Sequence, residues 1–255
     1  MSVKRNLSKV FTSTHQATKP NLLVSGCSYT WNNSQVHICT WPYYLRDIAN
    51  YQEVYDCSQS AAGNAHIFNS IVYELETNPD LNASNTDIII MWSGLERTDI
   101  LAAESLVQQW YHMDHMTFSS GQFASLNVWP DARWAKGHKD VNQFLKTYRV
   151  LIDNRAQILE SALKILACYN YLRNKGFNPI FTTYMPMEPR LTLLGENLIA
   201  NSVLNLLANI QDLNSYTSTS GSRIPNDNHP TPDSHLAWTR NILVPFLTGQ
   251  YIQVK

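Results

Sequence analysis

The apolar residues of this chain fall into two patterns: short unbroken runs, and longer stretches in which they recur every three or four positions. Leu22-Leu23-Val24, inside 21–26, predicts a strand buried on both faces, as in the middle of a parallel sheet. Glu53 to Cys57 predicts a second strand, Asp87 to Trp92 a central third, and Asn178 to Tyr184 a fourth. Helical spacings lie between them. Trp41 to Asn50 has Pro42 at a first-turn position and Tyr44, Leu45 and Ile48 at helical intervals. Ala65 to Glu76 carries Ile67, Phe68, Ile71, Val72 and Leu75. The longest helical pattern runs from Val141 to Asn174, with Gly176 suited to its C-terminal cap. Leu191 to Leu213 predicts one or two further helices, Ser215 to Asn228 a polar loop, and 231–247 a final helix entered at Pro232. Residues 101–140 keep little periodicity and are rich in Trp, Tyr, Phe, His and Met, so they read as an insertion, part helix and part loop.

Strands alternating with helices predict a parallel sheet of four or five strands with helices on both faces. One α/β domain over 21–255 accommodates the pattern, after a polar, loosely ordered lead-in over 1–20. Charge narrows the partners. Nineteen basic and twenty acidic residues, a net charge of -1 and a pI near 6.7 exert no long-range pull on nucleic acid or an anionic membrane. No stretch approaches the ~20 apolar residues of a spanning helix, and the lead-in has no apolar core of a secretory signal. The expectation is a soluble, cytoplasmic protein. Cys27, Cys39, Cys57 and Cys168 show no C-x-x-C spacing, so free thiols are expected in place of a zinc knuckle or redox dithiol.

Three predicted strands end in small polar residues, where open α/β sheets place their ligands. The first end is Ser25-Gly26-Cys27-Ser28, the second leads into Ser60-Ala61-Ala62-Gly63-Asn64, and the third into Ser93-Gly94-Leu95-Glu96-Arg97. A serine hydroxyl at such an end becomes a nucleophile only if a base takes its proton. Two histidines compete for that role: His229, two residues after Asp227 in a loop, and His235, two after Asp233 inside the final helix. A loop position just ahead of a helix favours His229.

These segments together resemble the SGNH hydrolases, also called GDSL esterases and lipases. Gly26-Cys27-Ser28-Tyr29 is similar to the first block of that family, with Ser28 as nucleophile and Cys27 in place of its aspartate. Gly63-Asn64 resembles the second block and Gly94-Leu95-Glu96-Arg97 the third. His229-Pro230, followed six residues later by His235, resembles the fourth and selects His229 as base. The resemblance covers about 21–245 and implies a flavodoxin-like three-layer fold. It also implies an oxyanion held by the N–H groups of Ser28 and Gly63, with Asn64 as a candidate side-chain donor. Two departures stand out. Glu96 occupies the place of the family's side-chain amide and, when ionised, cannot donate a hydrogen bond. Asn226 stands three before His229, so the orienting carboxylate is Asp227, one position out of step.

The resemblance implies an esterase for acyl esters, acetyl esters of carbohydrate among them, with Arg97 and Glu96 as binding residues and no cofactor. Acyl transfer to another acceptor would use the same residues. The alternative is a scaffold of the same type with little turnover, serving as a structural or carbohydrate-binding component. The wording Trp-Ser-Gly-Leu-Glu-Arg-Thr-Asp over 92–99 is similar to SGNH-like proteins of tailed bacteriophages, which fits a virion role. His112 and His115 lack a defined third ligand, so no metal is assigned. The aromatic residues of 110–134 read as a packing layer, an oligomer contact or a sugar-stacking wall.

Overall fold

The computed structural model describes residues 19–32, 39–103, 123–128, 143, 146–148, 150–151, 153–195 and 198–250. In chain order the first elements are β1 (Asn21–Gly26), α1 (Trp41–Ala49), β2 (Glu53–Asp56), α2 (Asn64–Thr77) and β3 (Thr86–Trp92). Then come β4 (Thr98–Ala103), β5 (Phe123–Val128), α3 (Asn154–Asn174), β6 (Ile180–Thr183) and α4 (Glu188–Leu191). The chain continues through α5 (Leu198–Leu206), α6 (Leu213–Ser220), α7 (Pro232–Trp238) and α8 (Val244–Leu247).

The molecule is mixed α/β, with β2-β1-β3-β6 forming a four-stranded parallel sheet flanked by helices. Apolar runs become its centre: Leu22, Leu23 and Val24 in β1 and Ile88 to Trp92 in β3 are almost wholly buried. Gly26 is level with Met91, so β1 and β3 end side by side. The chain steps from β1 to β2 on one side, then crosses back to β3 on the other. That reversal makes the paired ends of β1 and β3 the switch point, where such sheets leave a crevice.

Helix α2 packs on β1 and α3, and α1 packs on β2 and α7. Trp41 of α1 meets Trp238 of α7 edge-on at 6.2 Å between centroids, and Trp92 meets Phe181 at 5.2 Å. All four are fully buried, and each large side chain so placed contributes about 1.5–3 kcal/mol through area removed from water. Beyond β6, Leu207 bridges Phe181, and the Ala208 N–H donates to the Phe181 carbonyl at 2.7 Å.

The structure departs from the sequence reading in three places. Within the expected helix-and-loop insertion, β4 and β5 instead pair antiparallel as a separate two-stranded sheet. The long pattern from 141 is interrupted at Asp153, whose carboxylate accepts the Arg155 N–H and caps a new helix. Leu213 to Ser220 is helical, although a polar loop was expected from Ser215 onward. Asp212 caps it by accepting the Ser215 N–H at 2.8 Å, and Thr217 and Ser218 hydroxyls donate back to carbonyls four residues earlier. The final helix runs through a π-helical turn at 239–243. The lead-in before Lys19, His112, His115 and the aromatic residues of 110–118, Trp129 and Trp134 lie outside the described residues.

Candidate active site

Ser28 lies in the turn that follows β1, half-buried at the switch point. The turn is tight because the Thr30 and Trp31 N–H groups both donate to the Cys27 carbonyl, at 2.8 and 3.0 Å. Gly26 is required there: a Cβ would press on the Thr30 side chain and lie 3.0 Å from the Met91 carbonyl. Thr30 is itself fixed, its carbonyl accepting from Thr40 at 2.5 Å and its hydroxyl from the Trp41 indole at 3.3 Å.

His229 reaches Ser28 from 201 residues away, its Nε2 lying 2.7 Å from the serine Oγ. Its Nδ1 lies 2.5 Å from Asp227 Oδ1. A carboxylate only accepts, so Nδ1–H donates to Asp227, and Nε2 is left to accept from the Ser28 hydroxyl. Asp227 also accepts the His229 backbone N–H at 3.1 Å. Partial burial raises the Asp227 carboxyl, but the His229 hydrogen bonds outweigh it and hold it below its ordinary value. The backbone explains the one-residue offset. Asn226 adopts φ 61° in a turn closed by the Asp227 N–H on the Ile224 carbonyl, and the Ile224 N–H donates to the His229 carbonyl. Asparagine tolerates that left-handed conformation, and the next residue carries the carboxylate toward the imidazole.

This loop is exposed at Asp227 and Asn228, yet it is held from below. The Tyr29 hydroxyl donates to the Asn228 carbonyl at 3.1 Å, and the Arg223 guanidinium donates to the same oxygen. Arg223 also donates to Asn214 Oδ1 and Ser218 Oγ, each at 2.8 Å, which ties the loop to α6. The Tyr29 ring stacks on Tyr184 at 4.5 Å and tilts against the His229 ring at 5.1 Å. Burial raises the Tyr29 phenol, and also carries the Tyr184 phenol up to about 12 against the pull of Arg97, so both stay protonated. His235, the competing histidine, is instead sealed in α7 at 1 % exposure, and burial lowers it to about 3.

The expected oxyanion donors are largely committed elsewhere. The Gly63 N–H donates to Asp99 Oδ1 at 2.9 Å, and the His66 N–H donates to Asp99 Oδ2 at 2.8 Å. A carboxylate thus fills the start of α2, where unpaired N–H groups and the helix dipole favour negative charge. Asn64 is fully buried, donating to the Ser93 carbonyl at 3.3 Å and accepting the Ser93 N–H at 2.9 Å. It joins α2 to the residue that follows β3. Glu96 forms an ion pair with Arg190. No acceptor among the described residues takes the Ser28 N–H. Arg97 lies over the Tyr184 ring at 5.4 Å and donates to the Ala62 carbonyl at 3.4 Å.

Arg223 and Tyr184 belong to this site but carry no local motif that would have marked them, while Tyr29 falls inside the first block and Asp99 inside the run 92–99 without being singled out there. Among the described residues, no group of three or more His, Cys, Asp or Glu is placed to hold a metal ion. All four cysteines are free, and no described helix is long and apolar enough to cross a membrane. Neither a protein-family model nor a curated protein matches the chain.

Proposed function

We propose that this protein is a serine esterase of the SGNH type, acting on acyl esters, with acetyl esters of carbohydrate as the first class to test. The observation that carries the reading is the relay from Ser28 Oγ to His229 Nε2 to Asp227, at 2.7 and 2.5 Å. In the forward step Ser28 Oγ bonds to the ester carbon, its proton passes to His229 Nε2, and the carbonyl π pair moves onto oxygen. As that pair returns, the bond to the alcohol oxygen breaks and His229 gives the proton to the departing alcohol. Water then repeats the sequence on the acyl-serine, releasing the acid and restoring Ser28. Asp227 holds Nδ1–H throughout and stabilises the imidazolium that forms.

The test is intact-protein mass spectrometry after exposure to a fluorophosphonate. One adduct on the wild type, lost in Ser28→Ala and in His229→Ala, is the expected result. The second reading, a scaffold without turnover that serves in a virion or binds carbohydrate, draws on two observations. Asp99 occupies the Gly63 N–H, and Glu96 stands where an amide donor would serve. An inert wild type decides for the scaffold.

A further inference from the structure

The esterase reading leaves a charge unanswered. When the carbonyl π pair moves onto oxygen, that oxygen needs donors, and removing one such donor costs about 10²–10³ in turnover where it has been measured. Of the groups implied by resemblance, the Gly63 N–H is held by Asp99, the Asn64 amide is buried on Ser93, and Glu96 cannot donate when ionised. The Ser28 N–H is left uncommitted.

Arg97 follows the strand end that neighbours the Ser28 turn: it comes after β3, whose end is level with the end of β1. Its guanidinium donates to the Ala62 carbonyl at 3.4 Å, and it interacts electrostatically with Cys27, immediately before the nucleophile. It also lies on the face of Tyr184, which stacks on Tyr29, immediately after the nucleophile. The guanidinium therefore approaches the surroundings of Ser28 through the Tyr184–Tyr29 stack. Glu96 is drawn off to Arg190, and Asp99, the carboxylate whose charge acts on Arg97, accepts the Gly63 and His66 N–H groups. The five N–H donors of Arg97 form a planar fork, and the hydrogen bond to the Ala62 carbonyl does not exhaust them. A half-buried cation near a nucleophile, whose neighbouring Asp99 carboxylate is already taken up by the Gly63 and His66 N–H groups, is placed to answer a negative charge that forms during the reaction.

We infer that Arg97 is a catalytic residue: its guanidinium donates to the carbonyl oxygen of the ester as that oxygen becomes an alkoxide, together with the Ser28 N–H. This inference rests on the esterase reading. Arg97 forms and breaks no covalent bond and keeps its own protons; it lowers the energy of the tetrahedral intermediate only. The same guanidinium accounts for how Glu96 is tolerated in the third block, since the donor function moves one residue along the chain.

The experiment uses full-length protein, p-nitrophenyl acetate as ester and a fluorophosphonate as covalent probe, with Arg97→Gln, Arg97→Ala and Arg97→Lys. Thermal midpoints are recorded for each. Arg97→Gln is expected to lose about 10²–10³-fold in kcat and in phosphonylation rate, with the pH dependence of its residual rate unchanged. Arg97→Lys, which keeps the charge without the fork, retains part of the rate. Millimolar guanidinium restores turnover to Arg97→Ala and leaves Ser28→Ala inert, a rescue that a merely structural role would not give. Wild-type turnover in folded Arg97→Gln overturns the inference alone. So does a loss that follows the thermal midpoint and ignores guanidinium. A wild type that takes no adduct overturns the esterase reading and this inference with it.

Discussion

Acidification should unfold this protein earlier than its surface charge suggests. His66 and His235 are 4 % and 1 % exposed. Burial holds His66 down at about 4 and His235 at about 3, with His229 adding to the second. In the unfolded chain both take up protons near pH 6.5, so below that pH the unfolded state binds protons that the folded state refuses. Stability must fall as pH drops through this window, and from pH 7 to pH 5 each histidine accounts for a loss of about 2 kcal/mol. Asp56 opposes them. Burial raises its carboxyl to about 6 in spite of hydrogen bonds from Ser58, so here the folded state takes up the proton first. That offsets about 1 kcal/mol over the same range, and the histidines win by about 2–3 kcal/mol. Against a total of about 5–15 kcal/mol for a typical domain, this is a large share. The assay is urea unfolding at pH 7, 6 and 5, followed by tryptophan fluorescence, on wild type and on His66→Gln. The wild type should lose stability steadily, and the variant should lose about 2 kcal/mol less over the range. Equal stability at pH 7 and pH 5, or an unchanged slope in the variant, would refute the reasoning.

Tyr29→Phe keeps the ring against Tyr184 and His229 but removes the hydroxyl from the Asn228 carbonyl, where Arg223 remains. It should cost about 1 kcal/mol in urea unfolding and lower kcat up to about tenfold with KM unchanged; wild-type kinetics would dismiss the clamp on the histidine loop. Asp99→Ala removes the acceptor of two N–H groups at the start of α2 and should cost about 1–2 kcal/mol in the same unfolding assay. A variant as stable as wild type would show that water replaces the carboxylate there.

Local physics made β1, α1, β2, α2 and β3 legible in sequence, because each apolar run or helical face is bounded by Gly, Pro or Asn that stop it nearby. Leu213 to Ser220 was not, since Ser and Thr score as loop residues until their hydroxyls are seen donating back along the helix. The cap at Asp212 was the available signal. The pairing of Ser28 with His229 and Asp227 was expected from the resemblance of four ordered blocks, the last of them a loop ahead of a helix. What Gly63 does was not, because its N–H is taken by Asp99 thirty-six residues later in a contact with no periodic trace. Tyr29 and Asn228 are likewise joined across 199 residues. Their neighbours in sequence say nothing of that bond.

The way the parallel sheet stops at its two margins governs how the molecule behaves in company. A marginal strand with free N–H and carbonyl groups is a template on which another copy can add. Here both outer strands, β2 and β6, are only four residues long. On the β6 side the chain's own Leu207 and Ala208 already occupy the place an incoming strand would take, through the 2.7 Å bond to the Phe181 carbonyl. The β2 side opens with exposed Glu53, so that rim is short and carries a carboxylate where an incoming strand would start. Growth of the sheet from one molecule into the next is therefore obstructed on one side by backbone and on the other by charge. At high concentration the fold can keep its crevice free without its sheet becoming a seed for fibres.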